Sequence, residues 1–271
     1  MMSQLRQRVL TAVPLLAGLL LLLFAAPVWL VIAASAVLIA LGAWEWSAFV
    51  GWRSPWARGG YVAGVALVMA GGDWLVQAGI GLPVVLWIAL LWWVAAFLWI
   101  LRYPTPVPPV IAAIAGLLVL VPAWLSMIAL LKVPQHGPQL LLLALCIVFA
   151  ADIGAYFVGH RFGRLKLAPR VSPGKTWEGL VGGLLFAGLV AAAGGAVVGL
   201  PIAFMAPIGP GIAALSVVGD LTESMFKRSV GLKDSGQLIP GHGGVLDRLD
   251  SVAPALPVFA LAMSWLGVIP G

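Results

Sequence analysis

Of 271 residues, 62% are hydrophobic and 9% are charged, whereas an ordinary soluble domain carries roughly 25% charged residues. A water-soluble fold of this length cannot hide so much apolar surface, so the solvent is lipid, and the apolar runs leave no room for a separate extramembrane domain. The formal charge of +6 comes from basic residues at the ends of apolar segments rather than from one patch, which points to orientation in a membrane and away from nucleic acid.

A bilayer core about 30 Å thick is crossed by about 20 apolar residues at 1.5 Å rise each. Apolar runs at about 9–25, 28–50, 60–80, 82–101, 108–131, 139–159, 177–199, 202–222 and 252–269 predict an all-α, polytopic integral membrane protein of about nine transmembrane helices. Pro27, Pro83, Pro104 to Pro109, Pro134 and Pro201 punctuate them. The first run follows Arg6 and Arg8 in the manner of a signal peptide. No clear small-residue cleavage site follows and a second run begins at once, so it reads as a retained helix. In the run 139–159, the single cysteine, Cys146, excludes an internal disulfide and a multi-cysteine zinc site.

Charge placement tests the span count, because cytoplasmic loops collect Lys and Arg. Nine crossings with a cytoplasmic N-terminus and an outer C-terminus put 14 of the 15 basic residues on the inner side, with only Lys132 outside. Charge is also uneven along the chain. Residues 1–150 hold eight of the 24 charged side chains, and 152–250 hold the other sixteen, including seven of the nine acids. Residues 1–135 therefore read as membrane scaffold, and 136–271 as a catalytic membrane region with cytoplasmic loops at 160–176 and 223–250. Within the scaffold, Glu45 and Asp73 lie near span ends and are read as reaching headgroups or a neighbouring helix rather than as catalytic.

Ionisable residues at membrane depth are costly and usually functional. Three clusters qualify. Asp152 stands near the cytoplasmic end of its span, ahead of Arg161, Arg164, Lys166 and Arg170 and the run Ser172 to Gly179. Gly174-Lys175-Thr176 suggests a phosphate loop, but Pro169 stands where that motif requires glycine and no strand of a soluble domain precedes it. What remains is a basic loop that either holds phosphates or merely marks the inner side. In the second cluster, Asp220 and Glu223 share a helix face, as do Glu223 and Lys227. The third runs from Lys233 to Asp250. Its glycines 236, 241, 243 and 244 allow close backbone approach and offer N–H groups to phosphate oxygens, and Asp247 and Asp250 share a helix face. Carboxylates beside Lys and Arg at a glycine-rich turn suit a nucleoside triphosphate with magnesium.

The stretch Ser224–Asp250, S-M-F-K-R-S-V-G-L-K-D-S-G-Q-L-I-P-G-H-G-G-V-L-D-R-L-D, resembles the signature of the phosphatidate cytidylyltransferases, or CDP-diacylglycerol synthases. The upstream A-D-I-G-A-Y-F-V-G-H-R-F-G-R and S-P-G-K-T-W-E-G are similar to that family too. The resemblance covers about residues 150–250; the first half matches only in being apolar and rich in spans. It implies transfer of the cytidylyl group of CTP to phosphatidate, giving CDP-diacylglycerol and pyrophosphate at the cytoplasmic face of a bacterial inner membrane. It also implies a requirement for Mg2+, with K+ in a paired metal site, and suggests a homodimer.

On matching positions, the resemblance makes Asp220 and Asp247 the metal ligands, with Asp152 and Asp250 as further or indirect ones. Lys227, Arg228, Lys233 and Arg248 become contacts for the triphosphate or phosphatidate. Ser172 and Lys175 close the site from the other loop, and Ser224, Asp234, Gly243 and Gly244 complete the substrate contacts. His242, flanked by glycines, either serves a phosphate or a proton transfer, or is a structural hydrogen bonder.

Overall fold

The structure, a computed structural model, describes residues 4–79, 81–236 and 243–270, without the side chains of 4–12 and 15. Ten helices and one hairpin follow in order: α1 (Gln4–Ala25), α2 (Val28–Trp46), α3 (Pro55–Gln77), α4 (Leu82–Leu101), α5 (Pro109–Leu131), α6 (Gly137–Phe162), β1 (Lys166–Ala168), β2 (Ser172–Thr176), α7 (Trp177–Val197), α8 (Ile202–Ser229), α9 (Leu246–Leu249) and α10 (Val252–Trp265). Prolines sit in the first turn of α3, α4, α5 and α6, where the missing N–H is no loss. Among the described residues, α2 to α8 are seven helices long and apolar enough to cross a membrane. The apolar part of α1, Leu16–Ala25, and the 14-residue α10 are shorter. The protein is thus a multi-pass, helical membrane protein, and its outward-facing residues agree: Leu67, Trp56, Val110 and Val197 all stand exposed, as a lipid-facing surface requires.

Two expected boundaries differ from those observed. The run ending at 222 continues as helix to Ser229, so Ser224, Lys227 and Arg228 are fixed on α8 rather than carried by a loop. The loop expected at 160–176 begins as the last turn of α6 and then folds into the antiparallel hairpin β1–β2, with Lys166 opposite Thr176 and Ala168 opposite Ser172.

The core surrounds α5, which buries 14 of its 23 residues. On one side of it, Trp46, Phe49, Trp99 and Phe226 form an aromatic cluster with ring centroids 5.1 to 6.5 Å apart, and the Trp46 indole donates to the Ala112 carbonyl at 2.8 Å. This cluster ties α2 and α4 to the C-terminal end of α8. On the other side, α10 packs on α4, α5 and α8.

Glycines let α6 and α7 meet backbone to backbone. A Cβ added at Gly179, Gly182 or Gly183 would lie 2.5 to 2.9 Å from atoms of Ala155, Val158 and Ala151 respectively, closer than any side chain tolerates. The same crowding recurs between α7 and α8, where a Cβ at Gly209 would run into Ala187 and Ala191.

Candidate active site

The closely packed α6, α7 and α8 form three walls of a cavity of about 530 Å3, and the hairpin forms the fourth; Asp152, Tyr156, His160, Ser172, Lys175 and Asp220 are among its lining residues. This is within the 300–1,000 Å3 usual for ligand sites. The hairpin is held from both ends. Trp177 N–H donates to the Leu165 carbonyl at 2.9 Å, and Leu165 N–H donates to the Glu178 carboxylate at 3.2 and 3.3 Å. Thr176 Oγ1 accepts from Gly179 N–H at 3.1 Å and so caps α7. The threonine of the Gly-Lys-Thr run is therefore a helix cap, and the lysine before it is aimed across the cavity: Lys175 Nζ lies 2.6 Å from Asp220 Oδ2.

Around this pair the acids gather. Asp152, one turn before Tyr156 on α6, is within electrostatic reach of Lys175, Asp220 and Arg248. Asp250 is brought against α8 because Gly219 has no side chain; a Cβ there would overlap the Asp250 carbonyl and Pro254. Desolvation, and then the charge of Asp220, push the Asp250 carboxyl up to about 7 against the pull of Ser251 N–H, Lys227 and Lys175.

The second centre lies about two helical turns further along α8, roughly 10 Å of axial rise from Asp220. Lys227 Nζ is 2.6 Å from Asp247 Oδ1 and 3.2 Å from Glu223 Oε1. Asp247 Oδ2 accepts from Gly244 N–H at 2.9 Å and from Ser235 N–H at 3.2 Å. Burial works to raise the Asp247 carboxyl, but the hydrogen bond from Lys227 and the two N–H groups outweigh it and hold it below the usual carboxylate range. Glu223 is buried, and apart from its ion pair with Lys227 neither of its oxygens has a hydrogen-bond partner among the described residues. It borders a void of about 10 Å3, room for one water.

Of the residues singled out in the sequence, the structure groups Asp152, Ser172, Lys175 and Asp220 at the cavity; Ser224 Oγ donates to Asp220 Oδ1 at 3.4 Å, and Asp250, within electrostatic reach of Asp220 and Lys175, borders the small void beside Glu223. It groups Glu223, Lys227, Asp247, Gly243 and Gly244 at the second centre. Asp247 is thus joined to Lys227, whereas Asp220 is joined to Lys175. Arg228 is exposed and donates to the Leu232 carbonyl at 3.3 Å; Lys233, Asp234 and Arg248 are exposed at the same end of the bundle. Gly244 N–H, expected to face a phosphate, is used by Asp247. Gly243 has φ of +84°, which favours glycine. His242 and its neighbours from Gln237 onward lie outside the described residues.

Three residues at the site escaped the sequence reading. Tyr156 and His160 line the cavity with stacked rings 5.9 Å apart. Their spacing of four from Asp152 was the available signal, since 152, 156 and 160 share a helix face. The third is Glu45. Read as a scaffold residue, it is 3% exposed and reaches the signature loop.

A family model described as the cytidylyltransferase family matches residues 6–266. The chain belongs to this family. Within the cytidylyltransferase family, it is 44% identical to a protein of Pseudomonas aeruginosa named phosphatidate cytidylyltransferase, with 96% of this chain and 97% of the relative covered. It is 40% identical to a protein of the same name from Haemophilus influenzae, with 94% and 97% covered. A Mycobacterium leprae relative of that name aligns over a shorter stretch, at 39% identity across 55% of this chain and 47% of its own length.

For a cytidylyltransferase, the question is whether these residues suit a divalent metal. Among the described residues, no three acids or histidines converge as a ready-made cage. Magnesium does not need one, because it is held by one or two carboxylates and completes its octahedron with water and substrate phosphate oxygens. Asp220, within electrostatic reach of both Asp152 and Asp250, offers that hard-oxygen chemistry, so the donor set fits.

Proposed function

We propose that this protein transfers the cytidylyl group of CTP to phosphatidate, forming CDP-diacylglycerol and pyrophosphate for phospholipid synthesis. The observation that carries the reading is kinship along nearly the whole chain with two proteins named phosphatidate cytidylyltransferase. The cavity supports it chemically, since a cation on the hairpin and carboxylates on α6 and α8 face one space, with Asp250 within electrostatic reach.

The phosphate of phosphatidate is already anionic, so its oxygen needs little deprotonation before it attacks the α-phosphorus of CTP. One P–O bond forms as the bond to the bridging oxygen breaks, and pyrophosphate leaves. The chief obstacle is bringing two polyanions together. This chain's residues meet it by positioning and charge neutralisation. Lys175 and Ser172 reach the phosphates from the hairpin, and Arg228, Lys233 and Arg248 approach from the other side. Asp220 would hold magnesium with Asp152 or Asp250 beside it, and Asp247, through Lys227, sets the second centre. A bound magnesium ion would supply Lewis-acid neutralisation of the triphosphate; potassium would find the same carboxylates.

Nine crossings, with the N-terminus inside and the C-terminus outside, complete the reading. The basic-residue asymmetry supports this orientation. So does the meeting of hairpin and signature loop at one end of the bundle, while the Lys132–Asp73 pair, 3.4 Å apart, lies at the other end of α5 and α6. The protein would then sit in the inner membrane with the cavity facing cytosolic CTP. A homodimer is compatible with the wide apolar exterior.

The test is pyrophosphate release by purified protein in lipid: it should require CTP, phosphatidate and magnesium together. CTP hydrolysis that ignores phosphatidate, or no release at all, would overturn the assignment.

A further inference from the structure

Glu45 closes α2, in the half of the chain that otherwise reads as scaffold. Its carboxylate accepts three hydrogen bonds, all from the signature loop some 200 residues away. Oε2 accepts from the Ser235 hydroxyl at 3.0 Å and from Leu246 N–H at 2.9 Å, and Oε1 accepts from Val245 N–H at 3.1 Å. Two signature glycines make room for it, because a Cβ at Gly236 or at Gly244 would overlap the Glu45 carboxylate. Asp247 takes the N–H groups of Ser235 and Gly244. The two acids thus clasp the same two backbone stretches from opposite sides. Glu45 secures residues 235, 245 and 246 to α2, and Asp247 draws 235 and 244 towards Lys227 on α8.

We infer that Glu45 is a positioning residue for the reaction: its carboxylate anchors the signature loop so that Asp247 and Lys227 are held in register with the cavity. The inference rests on the proposed cytidylyl transfer. It adds a role for the N-terminal half. A group buried this deeply with three donors aimed at two oxygens needs a full carboxylate, since an amide in its place turns one donor towards another donor. A misplaced loop costs transition-state contacts rather than ground-state binding, so the loss should appear in kcat.

The experiment compares wild type, Glu45→Gln and Ser235→Ala, purified in lipid, by kcat, by KM for CTP and phosphatidate, by unfolding temperature and by amide hydrogen exchange. Wild type must first release pyrophosphate; an inactive wild type fails the functional assignment, not this role. Glu45→Gln is expected to lower kcat about 10- to 100-fold, as loss of a supporting shell does. Both KM values should stay within about two-fold. Exchange at Val245 and Leu246 should rise while the helices stay protected. Ser235→Ala, which removes one of the three bonds, should cost about five-fold in kcat, and the double variant should be no worse than Glu45→Gln alone. Unchanged kcat in Glu45→Gln overturns the role, as does a lowered unfolding temperature with unchanged turnover per folded molecule. Should Glu45→Gln fail to fold, Ser235→Ala decides, and its full activity would overturn the role.

Discussion

The Lys175–Asp220 pair and the Lys227–Asp247 pair have the same 2.6 Å separation but opposite surroundings. Lys175 and Asp220 are 23% and 30% exposed and face the cavity, and Asp220 has only Ser224 as a further hydrogen-bond donor among the described residues. Lys227 and Asp247 are 10% and 13% exposed, Asp247 takes two backbone N–H groups as well, and Lys227 also reaches Glu223. A carboxylate has about four lone-pair sites, so Asp247 has about one to spare and Asp220 about two. The open pair is the one whose ammonium can yield its place to a substrate-bound cation. The closed pair is a fastening that shapes the loop.

Substitutions can break this contrast. The largest effect is expected from Asp247→Asn, which should abolish turnover and also destabilise the fold by about 3 kcal/mol, the low end for a broken buried pair since Glu223 still faces Lys227. A lowered unfolding temperature would be the sign. Asp220→Asn should cut kcat by about 10²- to 10³-fold with the unfolding temperature unmoved. It should also remove the thermal stabilisation that magnesium and CTP together confer on wild type. Equal destabilisation by the two substitutions would erase the distinction. Lys175→Ala sharpens it further, raising KM for CTP by about ten-fold through loss of one charge-assisted contact. Smallest is Glu223→Gln, expected to change stability by no more than about 1 kcal/mol, measured as unfolding temperature, because Lys227 keeps its closer partner Asp247 and an amide oxygen can still face the ammonium.

How much of this was legible follows from where each feature's partner lies. Lipid demands helices with their backbone bonds satisfied internally, so apolar runs alone located α2 to α8 within a few residues. The Glu223–Lys227 pair needed only a spacing of four. The extension of α8 to Ser229 depends on Phe226 packing among Trp46, Phe49 and Trp99, partners more than a hundred residues away. Glu45 is the sharpest case: a carboxylate at the end of an apolar helix has no local sign of purpose, and its three donors are 190 to 201 residues distant. The glycines at 236 and 244 are read in the sequence as allowing close approach of a ligand, whereas what the structure brings against them is Glu45.

The glycine seams have a mechanical corollary. Helices α6, α7 and α8 touch through their backbones at Gly179, Gly182, Gly183 and Gly209, leaving no layer of side chains to yield, so these walls behave as one stiff trough. Any widening that admits a lipid headgroup must then come from the rim, the hairpin and the loop fastened by Glu45 and Asp247. The acyl tails can vary outside the trough without altering its spacing.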